Sequence, residues 1–285
     1  MGPGGPTGGP DDLADRRRRI IAPVAVARLH LPSRRPVGLD RRPVRRRRPV
    51  RPRPGRPRHR RARGDLAGVL RLRRVGQRLG RELPGHGGSP RRDSYHLDEV
   101  AAAVHDAVTD AGLDAPTLVG HSLGGALATV YAATYPARGV VNVDQPLLVG
   151  GFADLLSKAG PTLHSPAYLE VWNSLRNGMH LDLLPPAAQE LVRTATAPRQ
   201  DLLLGYWDEL IDASAAELGE LRTRELTAIH AKNIGYDYVS GTELAPAYRG
   251  WLESVLPAVR ITVLPGSGHF PHLAHPAEFA KILAG

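Results

Sequence analysis

The chain has 285 residues, no cysteine and a formal net charge of +10. Without cysteine, disulfides, thiolate zinc sites, iron–sulfur clusters and a cysteine nucleophile are excluded, and no apolar run approaches the ~18 residues that would span a membrane. The charge is uneven: residues 1–82 hold 25 Arg and 6 Asp+Glu (+19), whereas residues 83–285 hold 13 Lys+Arg and 22 Asp+Glu (−9). The two parts need separate readings.

Residues 1–82 contain no Phe, Tyr, Trp, Lys or Asn. Arginines run together at 16–19 and 45–48, and proline recurs from Pro43 to Pro57. Proline at that density blocks helices and central strands. Low hydrophobicity with high charge predicts disorder. Only residues 66–79 show a weak helical pattern. Three readings stay open. A nucleic-acid-binding tail would use the arginines for phosphate contacts, but no aromatic residue is interleaved for base stacking. A twin-arginine-like signal would begin at 16–19, but its apolar core is short and broken by Pro23. The third reading fits the composition best: a GC-rich gene translated out of frame yields Arg, Pro, Gly and Ala and loses residues with AT-rich codons.

From residue 83 the sequence is that of an ordinary globular domain. Leu97, Val100, Val104 and Val108 form the apolar stripe of a helix. Residues 116–119 form a short apolar run, followed by Gly120-His121-Ser122-Leu123-Gly124-Gly125 and then a small-residue helical run over 126–133. This is strand, tight turn and helix with G-x-S-x-G at the turn, the pattern of a nucleophile elbow. The glycines leave space where side chains would meet backbone. The Leu123 amide, at the helix N-terminus, is placed to donate to an oxyanion.

Residues 140–144 read as a further strand ending at Asp144. Helical patterns follow at 152–156, 167–175, 187–194 and 201–211. The run 226–231 reads as a strand, with Asp237 and Glu243 on the loop behind it. Residues 259–264 alternate as a late strand, and Gly266-Ser267-Gly268-His269-Phe270-Pro271-His272 follows before a helix over 277–283. Serine is a poor nucleophile at neutral pH and needs a base. His269, on a glycine-rich loop, is the candidate. His272 and His275 lie across a proline-broken loop rather than on one helix face, which argues for packing over metal binding. His121 reads as a residue that packs or lines the site.

The segments Leu83-Pro84-Gly85-His86-Gly87-Gly88-Ser89-Pro90, Gly120-His121-Ser122-Leu123-Gly124-Gly125 and Gly266-Ser267-Gly268-His269 together resemble the α/β-hydrolase superfamily over residues 83–285. The resemblance implies an α/β fold with a mostly parallel sheet and a helical cap, here inserted at about 146–224. The N-terminal strands of that fold are expected to be missing, or replaced by the disordered Arg/Pro-rich segment 1–82. It also implies a Ser–acid–His triad with Ser122 as nucleophile, His269 as base and the Leu123 amide as an oxyanion donor. Three acids remain in play. Asp237 is favoured for its place after the 226–231 run; Glu243 and Asp144 are the alternatives. The second oxyanion donor normally comes from a His-Gly loop after an early strand, and none precedes residue 82. In the cap, Trp172, Met179, Leu183, Tyr206 and Trp207 are candidate pocket residues, with packing favoured over substrate contact for each.

The reading is therefore a serine hydrolase of the esterase type (EC 3.1.1) acting on a small-molecule acyl substrate. It needs no organic cofactor and no metal, has no membrane partner, and is expected in the cytoplasm. The competing reading is a catalytically impaired hydrolase-like protein whose basic tail binds nucleic acid or acidic surfaces.

Overall fold

The structure, a computed structural model, describes residues 83–194 and 198–284 together with the backbone of three short strands in the first 82 residues. These strands are β1 (Arg28–His30), β2 (Arg73–Val75) and β3 (Arg78–Gly80). Two of them correct the weak helical pattern read over 66–79. The three readings of the arginine-rich segment, and its expected disorder, otherwise fall outside the described residues. So does the expected lack of an early His-Gly loop.

Four longer strands follow: β4 (Thr117–His121), β5 (Gly139–Val143), β6 (Gly235–Ser240) and β7 (Arg260–Val263). The sheet order is β2-β3-β1-β4-β5-β6-β7. β4 to β7 pair in parallel, whereas β1 meets both β4 and β3 antiparallel, and β2 pairs antiparallel with β3. β4 and β5 are buried at every position after the first, as parallel strands covered on both faces must be.

Side chains alternate between the two faces with the period of a strand. Leu118, Val140, Tyr236 and Tyr238 face one core, which they share with α1 (Leu97–Asp110), α2 (Leu123–Thr134) and α7 (Ala215–Ala231). Val119, Val141, Val143 and Val239 face the other, covered by Phe279, Ile282 and Leu283 of α10 (Pro276–Ala284). α2 is nearly all small apolar residues and is buried over nine consecutive positions, Gly124 to Ala132. It is the helix that starts at the G-x-S-x-G turn.

Between β5 and β6 the chain forms α3 (Gly150–Leu163), α4 (Tyr168–Asn177), a single 3₁₀ turn (Leu181–Leu183), α5 (Pro186–Arg193), α6 (Gln200–Asp212) and α7. Helices α3, α4 and α6 share a core of their own around Leu156, Leu163, Leu203 and Trp207. α7 is different: its Leu226 and Ile229 are fully buried in the main core. The run 226–231, expected as a strand, is therefore the last turns of a 17-residue helix. Leu226 and Ile229 stand three apart, so the same apolar run serves either period, and the strand lies nine residues further on, at β6. α8 (Pro246–Val255) and the short α9 (Pro271–Ala274) complete the fold.

Candidate active site

The C-terminal ends of β4 and β5 and the loop after β7 meet at one place. β4 ends at His121 and α2 begins at Leu123, leaving Ser122 alone on the turn with φ 53° and ψ −134°. A non-glycine residue at positive φ costs about 1–3 kcal/mol and persists only where its surroundings over-determine it. Here they do. The Ser122 amide donates to Val143 O at 2.9 Å, and its carbonyl accepts from Gly125 N at 2.6 Å. A Cβ on Gly120 would overlap the Gly124 carbonyl, so the strand can approach the helix this closely only with glycine there. Leu123 opens the helix, so its amide has no carbonyl one turn back to bond.

One residue past β5, Asp144 also takes positive φ, at 55°. Its amide extends the ladder, donating to Val239 O at 2.7 Å. The turn throws its carboxylate toward the β7 loop. Oδ2 accepts from His269 Nδ1–H at 2.8 Å, while Oδ1 accepts from the Ser240 hydroxyl at 3.2 Å and the Gly241 amide at 3.1 Å. A carboxylate holding three donors is fixed in direction as well as paired. The bond to a carboxylate puts the His269 proton on Nδ1, which in the neutral ring leaves Nε2 as the acceptor.

His269 is held from three sides. Its amide donates to Met179 O at 3.2 Å, its ring meets Asp144, and its carbonyl accepts from His121 Nε2–H at 2.6 Å. Phe270 behind it is buried with Leu184 and Val192 of the helical insertion. His121, the residue before Ser122, therefore ties the serine's strand to the histidine's loop. Its ring lies 4.7 Å from His269 and 4.6 Å from His272, centroid to centroid. Burial, followed by the charges of His269 and His272, holds its pKa well below the usual histidine value against the opposing pull of the hydrogen bond to His269 O. The neutral ring of His121 is thus favoured, with Nε2–H as donor to the His269 carbonyl.

The favoured acid is not brought to this place. Asp237 is the third residue of β6 and lies in register with Arg260 at the start of β7. Its carboxylate takes a two-pronged contact from the Arg260 guanidinium, with Nη2–Oδ2 at 2.7 Å. Glu243 is an exposed loop residue 3.8 Å from Arg249. Asp144 alone of the three acids meets His269. The physical reason is the misread strand: once β6 is 235–240, Asp237 is inside a strand and not on the loop behind it.

The other sequence candidates are placed as follows. His275 Nε2 bonds Pro265 O at 2.9 Å, and His272 packs between the rings of His121 and Phe279. Trp172 and Trp207 belong to the core of the insertion, Tyr206 is buried in the main core, and Leu183 is exposed. Met179 is the one whose backbone touches the histidine loop. The 83–90 loop, with its His-Gly pair, is pinned to the insertion: Arg199 Nη1 donates to Gly85 O at 2.7 Å and the His86 ring packs on Tyr206. Sequence reasoning missed the donors on Asp144 and the His121–His269 bond; none has a motif.

Comparison with known proteins identifies the family. Residues 82–282 match the model of the alpha/beta hydrolase family. A 2-succinyl-6-hydroxy-2,4-cyclohexadiene-1-carboxylate synthase of Serratia proteamaculans is 26% identical over 210 residues, covering 71% of this chain and 79% of its own. An uncharacterized protein of Mycobacterium bovis is 26% identical over 71% of this chain, which spans 64% of that protein's length. Among solved structures, an AqdC variant, described in terms of recognition and ring-cleavage of the Pseudomonas quinolone signal, aligns with a TM-score of 0.62 at 18% identity. It covers 73% of this chain and 80% of its own.

Proposed function

We propose that this chain, which belongs to the alpha/beta hydrolase family, is a serine hydrolase that cleaves a carboxylic ester or related acyl bond through an acyl-serine. One observation carries the reading: a serine on a strained turn at positive φ, whose preceding residue His121 bonds the backbone of a histidine whose Nδ1 is in turn bonded to a carboxylate. Ser122 is the nucleophile, His269 the base and Asp144 the acid. The Serratia relative is named as a synthase, so the family alone does not select hydrolysis. What favours it is that a serine nucleophile with a histidine base forms and then hydrolyses an acyl intermediate.

In the first step His269 Nε2 takes the Ser122 hydroxyl proton as Oγ attacks the acyl carbon. The Leu123 amide donates to the oxyanion that forms. His269 then protonates the leaving alcohol as the carbon–oxygen bond breaks. In the second step His269 deprotonates water, which attacks the acyl-serine; the acyl–Oγ bond then breaks as His269 returns the proton to Ser122 Oγ, and the acid is released. Asp144 keeps the His269 proton on Nδ1 and stabilises the imidazolium without itself being protonated. The helices α3 to α6 between β5 and β6 act as the cap, and the Met179 carbonyl on the His269 amide is where that cap touches the catalytic loop.

The test is reaction with a fluorophosphonate, in which Oγ attacks phosphorus and fluoride leaves. The expected result is one phosphonylated site, mapping to the peptide that contains Ser122 and absent in Ser122→Ala. Labelling that survives in Ser122→Ala, or a folded chain that does not label, would overturn the proposal.

A further inference from the structure

The Asp144 turn is gripped by a buried asparagine. Asn142 sits on the last-but-one position of β5 and is fully buried. Its Oδ1 accepts from Gln145 N at 3.1 Å, and its Nδ2 donates to Gln145 O at 3.0 Å. Both backbone groups of Gln145 are thus held by one side chain, with Asp144 lying between the two residues. Nδ2 also donates to the Tyr236 hydroxyl at 3.1 Å. That hydroxyl meets Thr129 Oγ1 at 2.8 Å, and Thr129 donates to Gly125 O at 2.8 Å. The bonds form a one-way chain from Asn142 through Tyr236 and Thr129 to the carbonyl of the elbow helix. Burial holds the Tyr236 hydroxyl protonated, so no member is ionised.

From this arrangement we infer that Asn142 is a positioning residue that sets the direction of the Asp144 carboxylate. The inference rests on the reading of Asp144 as the acid. With the Asp144 amide held on Val239 O, its φ decides where its Cβ and carboxylate point, and holding residue 145 on the far side closes the turn and keeps that φ left-handed. Asn142 fixes it, and so maintains a left-handed conformation that an aspartate adopts at a cost. The second glycine of the elbow pair follows from the same geometry: a Cβ on Gly125 would overlap Asn142 Oδ1. A single buried side chain therefore joins the turn that carries the acid to the helix that starts behind the nucleophile.

A buried asparagine that merely satisfied its own polar atoms would leave the His269–Asp144 bond unchanged when removed. The experiment is proton–nitrogen NMR of the full chain labelled with nitrogen-15 histidine, observing the downfield Nδ1–H of His269. Wild type is expected to show that resonance, and Asp144→Asn to lose it. Asn142→Ala should lose it or move it upfield while circular dichroism stays native, and Tyr236→Phe should move it less. With 4-nitrophenyl acetate as probe, kcat of Asn142→Ala should fall by up to about 100-fold, the cost of a displacement near 1 Å, with KM little changed. A folded Asn142→Ala with the wild-type resonance overturns the inference. If that variant does not fold, an unshifted resonance in Tyr236→Phe overturns it. A resonance that persists unmoved in Asp144→Asn defeats the underlying acid assignment instead.

Discussion

Asp237 lies within β6 and Asp144 just past the end of the neighbouring strand β5, and the two carboxylates have different partners. Asp237 is inside β6, level with Val141 of β5 and Arg260 of β7. Its charge is spent on the guanidinium beside it. Asp144 lies one residue beyond the end of β5, where the ladder stops and the backbone turns left-handed. There its carboxylate collects a hydroxyl, an amide and an imidazole. In a parallel sheet the chemistry gathers outside the carboxyl ends of the strands. An aspartate two or three residues short of that edge pairs with its strand neighbour instead.

The contrast can be broken by mutation. Ser122→Ala should have the largest effect, with turnover of 4-nitrophenyl acetate falling by about 10⁶-fold or to background, since it removes the proposed nucleophile. Asp144→Asn should cost roughly 10⁴-fold in kcat, because the amide favours the wrong histidine tautomer; steady-state kinetics checks both. Asp237→Asn should leave kcat within about twofold. Its cost is to stability, about 1 kcal/mol or less, because Arg260 is mostly exposed and solvent screens the pair. Denaturant titration measures that loss.

His121 predicts a pH effect whose sign is fixed by its burial. Its folded pKa lies below the ordinary value near 6.5, so below that pH the unfolded chain binds a proton that the folded chain refuses. Stability should therefore fall as pH drops from about 6.5 toward the folded pKa, by up to about 1.4 kcal/mol per pH unit from this residue. His121→Gln, which keeps a donor and cannot titrate, should flatten that part of the profile. Guanidinium unfolding of both forms at pH 7.5 and 5.5 gives the comparison, and equal acid sensitivity would contradict it.

The elbow and the histidine loop were legible in the sequence because glycine is demanded where backbones meet closely, as at Gly120 and Gly268, and where φ is positive, as at Gly266 and Gly268. The helices of the insertion were legible from their periodicity. The acid was not. The run 226–231 is apolar at a spacing that suits a strand or a helix, and the tertiary packing of Leu226 and Ile229 against α2 decides for helix. β6 itself had a signal in the alternation of Tyr236 and Tyr238 with Asp237 and Val239. Asn142 had one too, as a polar residue inside an otherwise apolar strand. Its partners at Gln145 and Tyr236 come from the fold, so its function could be read only there.

The most direct test of the triad is the rate of fluorophosphonate labelling of Ser122 in wild type, Asp144→Asn and Asp237→Asn side by side. The account predicts that Asp237→Asn labels at the wild-type rate and that Asp144→Asn labels orders of magnitude more slowly. The reverse order, or equal rates in all three, would contradict it.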